Sequence, residues 1–474
     1  MKKKVILPIL LVLLLILAAC NRAEDDTPAD VDEPEATEEP APPPEETVDP
    51  EDPEENGEDY VDSLYYDFPH RTPVDQGGGT LRINAWWLPH DFYADREPDD
   101  PGFKSINTIY REAEQRWNVN LEFTVAGWGE NVELLATSVL AGEPFADMVR
   151  LENWQAMPYA VTRGLLTPLE EIPYNYFDIE TMLDPGIRGF ASFAGLHYGY
   201  VFGYQQGDGL FFNIEILERL GLPNPFELHE AGQWTWDTFR DMAARATVLA
   251  PDGSVEQYGV ATNVLTFANY LWLTNGGNMV DEITQTFTGD SPNVVEALEF
   301  MQAMVLEDGS VSFTNEQDIY LAGNALFIPI GPWFRTQILE QMGPDFGWIP
   351  FPSGPRGDGR VHSVGWGANM YFVPRGANFA ALTIYAESRA EAHMYWTQDP
   401  DAWAEGFSRC ELSHSIIAQM RHSTLFDRFR GFGIYELMPW EDLGTGAAQP
   451  ASTLEAIRVA AQEGIDEVFA PMND

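Results

Sequence analysis

Apolar and polar positions change period along the chain, and those changes predict its elements. Leu81, Ile83, Ala85 and Trp87 alternate with polar neighbours, the two-residue period of a strand. Ile106, Ile109, Tyr110, Ala113 and Trp117 then recur at helical spacing behind Ser105, a natural N-cap. Val119 to Val125 alternates again. Val132, Leu135, Ala136 and Val139 share a helical face stopped by Gly142, and Ala146 to Leu151 forms a third strand. Strand, helix, strand, helix, strand in this order predicts a parallel sheet with helical crossovers, hence an α/β architecture. Downstream, Asn213 opens a short helix with Ile214, Leu217 and Leu220 inward, closed by Gly221. Thr235 caps a helix whose Phe239, Met242, Ala243 and Ala246 face a core, and Ser291-Pro292 opens another carrying Val294, Leu298, Met301 and Val305. Phe346 to Phe351 and Met370 to Val373 predict strands, Asn378 to Tyr395 and Thr453 to Phe469 helices, and Pro355 to Arg360 a solvent loop.

The stretch from Ala322 to Trp333 is the pivot of the pattern. A small-residue turn leads into a short apolar strand, Ala325 to Ile330, and a Gly-Pro break then leaves Trp333 standing at the strand's C-terminal end. In an open α/β sheet that end faces the crevice where ligands bind. The alternative for Trp333 is a buried core position.

The first twenty residues predict export. Lys2, Lys3 and Lys4 form a positive n-region, Val5 to Leu17 an apolar run of h-region length, and Leu17-Ala18-Ala19-Cys20 a lipobox. The run is too short for a membrane-spanning helix. Residues 1–19 are therefore expected to be a lipoprotein signal peptide and Cys20 the lipid-attachment residue, tethering the chain outside the cell membrane. Cys410 is the only other cysteine, so no internal disulfide is expected. Residues 20–79 are rich in Asp, Glu, Pro and Thr, a composition that buries too little apolar surface to fold. They are expected to be a disordered spacer whose first forty or so residues reach roughly 120 Å at about 3.1 Å per residue. The aromatic stretch Asp59 to Phe68 is expected to dock on the domain, with Gly77-Gly78-Gly79 as a hinge.

Charge excludes more than it assigns. The formal net charge is −49, three units more negative once Lys2–Lys4 leave with the signal, and Lys104 is the only lysine after them. Such a surface repels nucleic acid and anionic polymers, and adaptation to saline or alkaline surroundings is its simplest cause. No Gly-x-Ser-x-Gly elbow, His-Glu-x-x-His pair, P-loop or EF-hand loop is present, so neither cofactor nor metal is expected.

Several segments in order resemble the family 1 extracellular solute-binding lipoproteins, the sugar-binding receptors of ABC importers related to maltose-binding protein. They are 81–87, Leu135 to Gly142, Phe145 to Val149, Gly164 to Glu170, Gly195 to Gly199, Leu210 to Asn213, Trp234 to Phe239, Thr274 to Gly277 and Gly331 to Trp333. Together they span nearly all of 80–400. The resemblance implies a two-lobe, type II periplasmic-binding-protein-like α/β fold, each lobe a mostly parallel sheet flanked by helices, joined by a hinge. Lobe one is then expected at 80–202 plus about 368–400, lobe two at 203–365, and C-terminal helices at 401–474 packing across both.

A receptor of this kind closes on its solute, so both lobes must offer contacts. A neutral oligosaccharide offers hydroxyls for hydrogen bonds and a ring face for stacking, and the chain has 14 tryptophans. The ligand-binding candidates at predicted strand ends are Trp333, Trp154, Glu152 and Trp366, then Trp86, Trp87 and Trp128. Tyr204 at the lobe crossover and Asn275 in the Asn-Gly-Gly turn complete the set, while Trp117, Trp236 and Trp396 are expected to be structural. The resemblance further implies a non-enzymatic, monomeric receptor that hands its solute to ABC permease subunits. The rival readings are a lipid-anchored secreted glycoside-active enzyme and an accessory protein for sensing or adhesion on the same fold.

Overall fold

The computed structural model describes residues 69–86, 105–127, 129–183, 185–202, 207–365, 367–396 and 424–473. Cys20, the signal and most of the spacer, Trp87, Trp128, Tyr204, Trp366 and Cys410 lie outside the described residues, as do residues 401–423 and the side chain of Trp396.

A five-strand sheet and a six-strand sheet, the latter a five-strand path with the short strand Val248–Leu249 paired off it, organise the fold. Strands β1 (Gly79–Ala85), β2 (Val119–Val125), β3 (Met148–Glu152) and β4 (Gly199–Tyr200) build the first with β11 (Asn369–Phe372), in the order β2-β1-β3-β11-β4. The second sheet runs β7 (Val311–Ser312), β6 (Val255–Ala261), β8 (Ala325–Ile330), β5 (Gly209–Asn213) and β9 (Phe346–Ile349). In each, the first three strands are parallel and the fourth is antiparallel to both neighbours. Along each five-strand path four strands thus point one way, and the reversed one is a crossing segment: β5 follows β1–β4 in sequence, and β11 follows the second sheet.

Local signals explain the elements. Helix α1 (Ile106–Trp117) starts where Ser105 Oγ accepts the Thr108 N–H at 3.2 Å, and it ends at Asn118 in the left-handed region. Its predicted stripe is the buried one. Helix α2 (Glu130–Leu140) stops before Gly142, whose φ is +81°. Helix α3 (Ile214–Leu220) is capped by Asn213 and turned off at Gly221, but Ile216 and Leu217 are its buried residues; Ile214 and Leu220 are only partly covered. Helix α4 (Trp236–Ala246) carries the expected Thr235 cap and buried face. Helix α5 (Val264–Thr274) is buried on nearly every side and packs on α6 (Pro292–Leu306). Ser291 sits at the N-cap of α6 without a side-chain cap bond. Trp117 and Trp236 are core, Trp236 stacked on Phe300 at 4.4 Å.

The Gly77–Gly79 hinge is corrected to a pinned turn. Gly77 and Gly78 have φ of +66° and +74°. Asp75 Oδ1 accepts the Gly77 N–H at 2.7 Å and the Asn118 amide at 2.6 Å, and Gly79 already belongs to β1. Upstream, the Arg71 N–H donates to Glu387 Oε1 at 2.5 Å, and its guanidinium lies 4.7 Å over Tyr174. The fold therefore begins before Thr80: residues 70–78 are strapped to helix α7 (Ala380–Trp396) and the end of α1.

Two crossing segments meet side by side. Asp208 N–H donates to Val364 O at 2.6 Å, and Val364 N–H returns to Asp208 O at 2.8 Å. Strand β10 (Ser363–Gly365) then pairs in parallel with β12 (Thr424–Phe426). The C-terminal stretch touches both sheets' surroundings. Buried Asp427 accepts from Tyr435 Oη at 2.5 Å and from Asn269 of α5 at 2.9 Å. Helix α8 (Pro450–Asn473) stacks Phe469 on Phe193 near the first sheet at 5.7 Å, while Gln462 bonds Gln285 and Phe287 beside the second.

Candidate functional site

Sheet register gathers one set of strand ends. Glu152, the last residue of β3, pairs with Asn369, the first of β11; Ile330, the last of β8, pairs with Gly209, the first of β5. The reversed crossing strands thus bring their N-terminal ends beside the C-terminal ends of their parallel neighbours. In open α/β sheets such an edge is where ligands bind. Trp86 follows β1, Glu152 ends β3 and Trp154 follows it at this end of the first sheet, and Trp333 follows β8 at the corresponding end of the second.

Trp333 is not a core residue. It sits in a one-turn helix, Pro332–Phe334, and is 63% exposed, while neighbouring Phe334 is buried and meets it edge-on at 5.7 Å. Gly331 permits this placement: a Cβ there would lie 2.6 Å from Asp208 Oδ1 and 2.6 Å from Trp333 Cδ1 and Nε1. One point is thus flanked by a carboxylate oxygen and an indole edge.

Trp154 is held in another way. Its indole N–H donates to Glu152 Oε2, and the Arg430 guanidinium from the C-terminal stretch lies 4.3 Å over its ring. A Cβ at Gly367 would come within 2.8 Å of Trp154 Cδ1, and one at Gly431 within 2.4 Å of its carbonyl oxygen. Trp154 is therefore wedged on several sides and half-buried. Trp86 is half-buried too, with Arg150 5.4 Å over its ring and 5.6 Å over Tyr371.

Asn275 is corrected away from this set. It is fully buried at the C-terminus of α5, and its amide is consumed: Nδ2 donates to Asn293 O and Glu296 Oε2, and Oδ1 accepts the Arg356 N–H at 2.8 Å. It clamps a turn and keeps no bond for a solute.

Three residues escaped the sequence reading: Asp208, Tyr270 and Arg430. The Tyr270 hydroxyl donates to Asp208 Oδ2. Burial pushes the Asp208 carboxyl up to about 6, the Tyr270 hydrogen bond opposes that rise, and the Glu152 carboxylate adds to it. The signal was present in Gly207-Asp208-Gly209, an acid between two glycines just before an apolar strand. A Cβ at Gly207 would lie 2.9 Å from Val364 N, and one at Gly209 2.5 Å from Trp348. Among the described residues no group of His, Cys, Asp and Glu has the arrangement of a metal site, and no helix is long and apolar enough to cross a membrane.

Comparison with known proteins agrees with this architecture. A family model described as bacterial extracellular solute-binding protein matches residues 103–378. Among solved structures, a cyclic α-maltosyl-1,6-maltose binding protein from Arthrobacter globiformis aligns with TM-score 0.61 at 13% identity, covering 82% of this chain and 100% of that one. An ABC substrate-binding protein from Listeria monocytogenes in complex with cycloalternan aligns with TM-score 0.60 at 14% identity, over 83% and 99%. UgpB from Mycobacterium tuberculosis in complex with glycerophosphocholine gives TM-score 0.60 at 16% identity, over 82% and 99%. At these identities the likeness is one of fold, the two-lobe type II binding-protein fold. No curated protein sequence matches the chain.

Proposed function

This chain belongs to the bacterial extracellular solute-binding protein family, and from that premise we propose that it captures a neutral oligosaccharide between its two lobes for delivery to an ABC importer. The observation that carries the reading is the exposed Trp333 indole beside the Asp208 carboxylate at the strand ends of the second sheet. An indole offers a flat apolar face to a sugar ring, and carboxylates accept its hydroxyls. Trp154, Glu152 and Trp86 stand at the same edge of the first sheet, so a solute lying across the crossing would meet both lobes. Trp87, Trp128, Tyr204 and Trp366 remain candidates from their sequence positions. Structural relatives are described in complex with cycloalternan, bound to maltotriose, or as binding cyclic α-maltosyl-1,6-maltose, which favours a sugar; glycerophosphocholine in another is the reason to include a non-sugar control.

The lobe assignment is part of the proposal: residues 80–202 with about 368–400, then 203–365, with the C-terminal helices across both. So is the anchor: a lipid on Cys20, the spacer reaching outward, and permease subunits as the docking partners. Substituting Cys20→Ser should abolish labelled-palmitate incorporation and release the chain from the membrane.

A thermal-shift screen of the full chain against neutral oligosaccharides, with the supernatant assayed for cleavage, tests the receptor reading. A sugar at a hundred times its dissociation constant should add about 2.7 kcal/mol of stability. Trp333→Ala should remove most of that shift without lowering the unliganded melting temperature, because the ring is mostly exposed. Cleaved sugar would replace the receptor with a hydrolase.

A further inference from the structure

The C-terminal stretch sends one long side chain to the end of the first sheet, from a backbone that is pinned on either side of it. Three residues before Arg430, Asp427 is buried. Its Oδ2 accepts the Tyr435 hydroxyl at 2.5 Å and the Asn269 amide of α5 at 2.9 Å, and its own N–H donates to Gly365 O at 2.9 Å. One residue after Arg430, Gly431 packs so tightly that a Cβ there would collide with the carbonyl oxygens of Trp154 and Met157. The backbone is therefore held at both points, and what can move is the Arg430 side chain. Its guanidinium lies 4.3 Å over the Trp154 ring. The other approaches to that ring are taken: the indole N–H donates to Glu152 Oε2, and Gly367 abuts Cδ1. The two indoles thus differ. Trp333 stands bare at the end of the second sheet, and Trp154 is covered at the end of the first.

We propose that Arg430 is an autoinhibitory cover: in the solute-free protein its guanidinium occupies the Trp154 face, and capture requires the side chain to swing off it. This rests on the sugar-receptor reading above and goes beyond it, because it assigns a moving part and a penalty instead of another contact. A guanidinium over an indole is attracted by the negative face of the ring, so the covered arrangement is favoured until something else takes that face. Only the uncovered fraction of molecules can engage a solute from the first sheet's side, and apparent affinity falls by that fraction. Asp427 and Asn269 fix the backbone from which Arg430 reaches. Asn269 is followed by Tyr270, whose hydroxyl donates to Asp208, so α5 ties the support of the cover to the strand ends of the second sheet.

Isothermal titration of the full chain with maltotriose, cellotriose and xylotriose tests this. For the sugar that binds, Arg430→Ala should tighten binding by roughly two- to tenfold, the range a guanidinium–indole contact spans. Arg430→Lys keeps the charge but stacks less well, so its affinity should fall between those of Arg430→Ala and wild type. Proton spectra of the wild-type chain labelled at arginine give a second readout, one that a merely structural Arg430 would not move. Stacking on the indole shifts the Arg430 Nε–H proton upfield, a resonance identified by its absence in Arg430→Lys, and saturating sugar should return it to the ordinary arginine position. That readout carries the test if Arg430→Ala fails to fold. Unchanged or weaker binding by Arg430→Ala, or an Arg430 resonance that stays shifted with sugar bound, would overturn this inference and leave the receptor reading standing. If none of the three sugars binds wild type, the sugar-receptor reading falls and this inference with it.

Discussion

A single carboxylate illustrates how far burial shifts chemistry at the residue scale. Asp208 has a folded-state value of about 6 against an ordinary 3.8, so the native chain holds a proton there that the unfolded chain has released. The native state is thus favoured below about pH 4, and that advantage is lost as pH rises to 6 and beyond. The shift corresponds to roughly 3 kcal/mol at most. Urea unfolding should accordingly show Asp208→Asn gaining stability relative to wild type between pH 4 and pH 6.5 and holding the gain above it. A difference that runs the other way would mean Asp208 is ionised and well compensated. Residues of this kind were not legible in the sequence. Trp333 was, because a Gly-Pro break after an apolar strand marks its end. Asp208 is one of 75 acids, and only the register of Ile330 with Gly209 sets it beside Gly331. Asn275 misled for the opposite reason: a polar residue in a Gly-rich turn resembles a ligand contact until its amide is seen to be spent.

Elements were the most legible level, because their signals are local. Ser105 and Thr235 cap the helices they were expected to cap, and Asn213 caps the one it was expected to open; the apolar pattern marked β1, β2, β3, β8, β9 and β11, while β4, β6 and β7 were not predicted as strands. What periodicity could not supply was how closely elements approach. Gly259 in β6 is the clearest case. A Cβ there would lie 2.2 Å from Ala243 O and 2.6 Å from Ala243 Cα. Those are backbone atoms of α4, with no flexible side chain to give way, so helix and strand must separate. Gly259→Ala should cost roughly 1–3 kcal/mol or more, the usual penalty for overpacking, read as a lower denaturant midpoint. The mixed sheets were also beyond a local signal. The strand at 369–372 was visible, but its antiparallel seat between β3 and β4 depends on where the chain has been in the 170 or so residues between β4 and β11.

The whole molecule is governed by one number, its net charge of −49. Nearly every cation after the signal is an arginine, and the described arginines are largely committed to ion pairs or aromatic faces. Arg240 illustrates this: it meets Asp308 at 2.6 Å and Glu307 at 2.6 Å, which raise its value further. The excess acid stays uncompensated and repels itself. Screening length falls from about 10 Å at 0.1 M salt to about 3 Å at 1 M. The melting temperature should therefore climb with sodium chloride, most steeply in the first few hundred millimolar. An equal rise with sucrose alone would assign it to solvent exclusion instead of charge.

The placement of β11 also dictates an order of events as the chain is made from its N-terminus. The second sheet is contiguous in sequence, its strands all falling between 209 and 349. The first is not: β4 pairs only with β11, which follows the entire second sheet. The half made first must wait with an open edge until the half made later is complete. Synthesis thus leaves an unfinished β edge for the time needed to add some 170 residues, and whatever shields that edge meanwhile acts on the N-terminal half.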